Sequence, residues 1–99
     1  MVIPEMQQEF AHYLSTWHTH AYSSHIASEV FYVYRHNIGI PFQEIFSNDQ
    51  SMETARELLT AYFENMPHPR KNPKNHASVH YSYWLKFKEF LDSTGKTLS

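Results

Sequence analysis

Cysteine is absent from the 99 residues. No disulfide can brace this chain, so a small secreted domain held by bridges is excluded and a cytoplasmic setting is expected. Glycine is scarce, with two in the chain. Strands joined by tight turns need more of it than that. No apolar run approaches the roughly 20 residues of a membrane helix, so no membrane span is expected. The first residues, MVIPEMQQEF, lack the basic start and apolar centre of a signal peptide. Phosphate-cradling runs of the GxxxxGK[ST] or GxGxxG type do not occur. No glycine-rich elbow surrounds any serine, which leaves a nucleophilic triad without its strained turn and oxyanion donors. The chain is therefore expected not to be an enzyme, with no catalytic residues and no cofactor.

Aromatics are plentiful: two Trp, seven Tyr and seven Phe. A disordered chain is poor in such residues, so a packed core is expected. The length suits one domain, residues 1–99, and is too short for two cores. Long segments, little glycine and clustered proline point to helices joined by loops.

Apolar spacing places four main helices. Met6, Phe10, Tyr13, Leu14 and Trp17 form one stripe of a helix over 4–17, with Pro4, Glu5 and Glu9 suited to its first turns. Ile26, Ala27, Val30, Phe31, Tyr34 and Ile38 give a second over 24–38, capped by Ser23 or Ser24 and stopped by Gly39. Pro41 opens a short turn over 41–46 that carries Phe42, Ile45 and Phe46 inward. Met52, Ala55, Leu58, Leu59, Tyr62, Phe63 and Met66 place a third main helix over 50–66, capped among Ser47, Asp49 and Ser51 and ended by Pro67. A fourth, over 76–92 with Asn75 or Ser78 as cap, carries an arc of Val79, His80, Tyr83, Trp84, Phe87, Phe90 and Leu91. A frayed tail follows from about residue 93. The fold class read from this is all-α, a small orthogonal bundle. The aromatic stripes (Phe10, Trp17, Phe63, Tyr83, Trp84, Phe87) read chiefly as core, with one or two available as anchors for a partner.

Charge is unevenly spread. Residues 1–66 carry eight acids against two arginines, a net of −6, while residues 67–99 carry six cations against two acids, a net of +4. Either the basic end faces a polyanion or the two ends attract one another within the fold. The proline-punctuated loop PHPRKNPKN is the candidate working surface. Arg70, Lys71 and Lys74 supply cations; Asn72, Asn75 and His76 supply neutral donors; Lys86 and Lys88 extend the charge along the last helix. With a helix N-terminus beside them, these groups suit phosphate contact. That reading requires the loop cations to share a face free of carboxylates. The alternative is a protein-interaction module, such as a phage or bacterial inhibitor or adaptor. Its Glu53, Glu57 and Glu64 would then dock on a basic, nucleic-acid-binding partner.

His76 and His80 stand at the i, i+4 spacing of two metal ligands, and His18-x-His20 offers a second pair. Without cysteine, and without a Glu between His76 and His80, the pair reads instead as half-buried histidines bonded to backbone, and no metal is expected.

FAHYL, YSSHIASEVFYVYRHNIGIPFQEIF, TARELLTAYF and NHASVHYSYWLKFKEFL together resemble a small helical module of prokaryotic DNA-processing proteins. Such modules precede the nuclease domain in some restriction endonucleases and form the core-binding, SAM-like domain of tyrosine recombinases. The last helix follows S-x-x-Y-x-x-x-L with an aromatic and FL, here Ser78, Tyr81, Leu85, Phe90 and Leu91. The resemblance implies an all-α, non-catalytic module associated with nucleic acid.

Overall fold

Hydroxyl and amide side chains set where two of the long helices begin. In the computed structural model, which describes residues 3–69 and 71–98, α1 spans Ile3–Leu14, α2 His20–Val30, α3 Tyr32–Arg35, α4 Phe42–Ile45, α5 Asp49–Glu64 and α6 Pro73–Thr94. Four of these are long and two are single turns. No strand occurs among the described residues.

The first helix stops at Leu14, three residues before the expected end. Ser15 Oγ donates to the His12 carbonyl at 2.6 Å, which gives the backbone an alternative to continuing the helix. Trp17 therefore lies past the helix, off its apolar stripe. Thr19 then caps α2, its hydroxyl oxygen accepting the Tyr22 N–H at 3.2 Å. So α2 begins at His20 rather than 24. Ser23, expected as the cap, is buried inside the helix and donates to the Thr19 carbonyl at 2.8 Å.

The expected continuous helix to residue 38 breaks at Phe31, where φ is −83° and ψ is 2°. It resumes only as α3. The aromatic and β-branched run Val30–Tyr34 lies over this break; such residues lose side-chain freedom against the preceding turn. Gly39 does not end a helix. It sits three residues past His36 with φ at +107°, and its N–H is taken by Asn37 Oδ1 at 2.9 Å. The next turn is as read: Pro41 precedes α4, and Phe42, Ile45 and Phe46 are all buried.

Asn48 caps α5 by accepting the Ser51 N–H at 2.8 Å. The Ser47 hydroxyl is committed elsewhere, donating to the Glu44 carbonyl at 2.7 Å. The last helix starts three residues before the expected 76. Pro73 occupies its first turn, where a missing N–H costs nothing, and Asn72 precedes it with φ at +55°. The helix continues two residues past the expected end to Thr94 and closes on left-handed Gly95. Beyond it, Lys96 Nζ lies 3.0 Å from Glu9 Oε2, and Leu98 packs against the core.

Helix α6 is the element on which α1, α2 and α5 all pack. Its buried stripe is Ala77, His80, Trp84, Phe87, Phe90 and Leu91. Phe87 is central: its ring centroid lies 5.0 Å from Phe10, 5.5 Å from Phe31, 6.0 Å from Phe42 and 4.9 Å from Phe46. One residue of α6 thus joins α1, the α2–α3 break and α4. Val79, expected in the apolar arc, is exposed; it lies one residue, about 100°, from buried His80.

Candidate functional site

Opposite charges separated in the sequence meet in the fold. Lys88 Nζ lies 3.5 Å from Asp49 Oδ1, pairing the end of α6 with the start of α5. Lys96 reaches Glu9 on α1. Lys74 and Glu57 line one cleft of about 400 Å³ with Arg56, Thr60 and Ser78. In the first two a cation from the basic end pairs with a carboxylate of the acidic body; in the third the two share a cleft. Such surface pairs contribute little stability, about 0–1 kcal/mol each, but each cation's field is offset locally by its carboxylate.

The predicted phosphate-binding residues do not form one cationic face. Arg70 lies outside the described residues. Lys71, Asn72, Asn75 and His76 are exposed at the start of α6. Lys74, beside them, shares its cleft with Glu57. Lys86 points to a different surface, a notch of about 270 Å³ also lined by Tyr13, Leu14, Trp17, His18 and Glu89. Lys88 is half-buried against Asp49. His76, expected toward the apolar arc, is exposed, although its ring lies 6.2 Å from Phe63. The early start of α6 explains this. His76 falls in the first turn, before the helix enters the core.

His80 is the buried histidine. Its Nδ1 lies 3.1 Å from the Glu29 carbonyl oxygen and its Nε2 lies 3.2 Å from Glu29 Oε2. This joins α6 to the end of α2. Among the described residues, no group of three or more His, Asp or Glu is placed to hold a metal ion. No helix among them is long and apolar enough to cross a membrane.

Of the three candidate acids, Glu53 is engaged: its carboxylate pairs with Arg56. The Arg56 guanidinium also lies over the Tyr81 ring, 4.7 Å from its centroid. Partial burial first, then a hydrogen bond and charge from Glu53, hold the Tyr81 phenol above the usual tyrosine value. Glu57 and Glu64 are exposed on α5.

The surface that the spacing of apolar residues missed is the α1–α2 corner. Trp17 is 63% exposed and Tyr22 is 43% exposed. The Trp17 ring meets Tyr13 edge-on at 5.0 Å, and His18 meets Tyr22 edge-on at 5.0 Å. His25 stands 6.3 Å from Tyr83 on α6. These side chains run together from Tyr13 across the corner to Tyr83, with the Lys86 notch beside them. Ser15 and Thr16, in front of Trp17, are the sequence signal for this placement, since two hydroxyl residues in succession favour a helix end.

Comparison with protein-family models, with curated proteins and with solved structures finds no match to the chain.

Proposed function

We propose that this chain is a non-catalytic helical module that docks on a partner protein through the α1–α2 corner. One observation carries the reading: Trp17, the largest side chain type available, is 63% exposed with its ring against Tyr13, while Trp84 and five of the seven Phe are 0–2% exposed. Trp and Tyr are the residues that most often anchor protein interfaces, because each offers an apolar body and a polar tip. Trp84 shows that this fold can enclose a Trp; it leaves Trp17 outside. The test is a photo-crosslinking residue placed at position 17 and, separately, at position 64. A partner captured specifically from position 17, and lost on Tyr22→Ala, supports the reading. Equal capture from both positions counts against it. Capture from position 64 alone would favour docking through the acidic face of α5.

A second reading, phosphate contact at the start of α6, has its own support. Lys71, Asn75 and His76 are exposed together, and the Asn72 side chain makes no capping bond. The first-turn N–H groups of Lys74 and Asn75 have no acceptor within the helix. The resemblance to modules of DNA-processing proteins belongs with this reading. Glu57 beside Lys74 weighs against it, as do the wide separation of Lys86 and the pairing of Lys88. Titration with duplex DNA at low salt decides it: weak binding that falls steeply with salt and is lost in Lys71→Glu supports phosphate contact. No binding at low salt removes it.

A further inference from the structure

From Phe10 to Ser28 the chain contains no Asp, Glu, Lys or Arg, yet it contains His12, His18, His20 and His25. Within this segment the side chains that can carry positive charge are therefore imidazoles alone. Histidine changes charge between about pH 5 and 8 as a class. His20 and His25 are exposed and His18 is half-buried against Tyr22. His18 and His25 adjoin the aromatic cluster, and His20 lies between them in the chain.

We infer that this corner binds an acidic peptide segment carrying an apolar anchor, and that binding tightens as the pH falls below neutrality. The inference rests on the docking reading above and names the chemistry of the partner. The notch beside Trp17 is the seat for the anchor: Tyr13, Leu14 and Trp17 give it apolar walls, and Lys86 supplies a cation for a flanking carboxylate. A walled notch with a fixed cation suits a peptide side chain better than a fluid bilayer.

The charged and titratable neighbours are few. From α1, His12 and Tyr13 adjoin the corner, and Glu9 is engaged by Lys96 on the far side of Tyr13. From α2 come His20, Tyr22, His25 and Glu29, the last held by His80. From α6 come Tyr83, Lys86 and Glu89. Burial, then the neighbouring Tyr22 and Glu29, push the Tyr83 phenol upward, so it stays protonated in this range. Glu89 and Lys86 line the same notch. An acidic segment would thus face imidazoles and Lys86 here, with Glu89 as the carboxylate that lines the notch.

The probe is a labelled twelve-residue peptide of Asp and Glu around a central Leu-Phe pair, with fluorescence anisotropy read at pH 5.8 and pH 7.8. Its carboxylates stay ionised at both values. The expected result is affinity about tenfold higher at pH 5.8, from several surface pairs acting together. The triple variant His18→Gln, His20→Gln, His25→Gln should flatten that gain. Trp17→Ala should weaken binding at both values, with the helical circular dichroism intact. Absence of binding at both pH values overturns the inference, as does a tenfold gain kept by the triple variant. Equal pH-dependent binding of phosphatidylserine vesicles or of a twelve-residue thymidine oligonucleotide also overturns it, since the surface would then read anions in general. If the peptide fails while crosslinking from position 17 succeeds, the docking reading stands and only the acidic, pH-gated partner falls. If the peptide binds with the expected pH dependence but Trp17→Ala has no effect, the docking reading falls.

Discussion

Phe87→Ala should be among the most damaging single changes in this protein, and Trp17→Ala among the mildest aromatic ones. Phe87 is 0% exposed, and its ring lies within 6.0 Å of Phe10, Phe31, Phe42, Phe46 and Phe90. Truncation removes the transfer free energy of the ring and leaves a cavity bounded by side chains from α1, α4 and the α2–α3 break. Such changes cost about 3–5 kcal/mol. For a domain of this size, total stability is about 5–15 kcal/mol. At roughly 4–8 °C per kcal/mol, the midpoint should fall by at least about 12 °C. Trp17, at 63% exposed, loses little by truncation beyond its edge contact with Tyr13, and the cost should not exceed about 1 kcal/mol. Urea unfolding of both variants, followed by circular dichroism and tryptophan fluorescence, measures the difference. A loss below about 1 kcal/mol for Phe87→Ala, or an equal loss for the two variants, would refute the packing on which the free corner depends.

Three further outcomes follow from local geometry. Asn48→Ala removes the acceptor for the Ser51 N–H and should cost about 1 kcal/mol in urea unfolding, whereas Ser47→Ala should cost less. Gly39→Ala should destabilise by about 1–3 kcal/mol through its φ of +107°, since the nearest atom to an added Cβ is Leu58 Cδ2 at 3.8 Å, an ordinary contact; a neutral result would mean the loop tolerates another conformation. Alkaline titration of tyrosinate absorbance should show a late-ionising class that Tyr81→Phe diminishes. The fold holds the Tyr81 proton past the unfolded value of about 10, so stability is constant below that pH and is lost as pH rises through the folded value.

Much of the helical frame is legible in the chain because it is local. The stripe Met6, Phe10, Leu14 and the inward turn of Phe42, Ile45 and Phe46 are written in spacing, and all six are buried. The α5 stripe is equally plain, and its observed range departs from the reading by one residue at the start and two at the end. Boundaries fail where one residue type has two uses. Pro73 reads as a break but serves as the first residue of α6. Ser23 reads as a cap but lies buried one turn inside α2, because Thr19 takes the capping role.

Which charges of the candidate site meet in space is not legible in the chain, and for a physical reason. Charge along a chain says nothing about which charges meet. Lys88 and Asp49 are distant in sequence and adjacent in space, and the same holds for Lys96 and Glu9. The basic end therefore reads as a surface for polyanions, while packing pairs Lys88 and Lys96 with the acidic body. Trp17 shows the opposite error. Its i+3 spacing from Leu14 assigns it to the core, yet the helix has already ended. The resulting exposure is visible only once Ser15 is seen turning its hydroxyl back to His12.

The central claim is that the α1–α2 corner, and not the basic end, meets the partner. Amide chemical-shift mapping of the chain, titrated with the partner captured from position 17, tests it most directly. The largest shifts are expected at residues 13–25 and 83–89, with residues 71–76 unmoved. Shifts concentrated at Lys71 to His76, with Trp17 and Tyr22 unchanged, would contradict it.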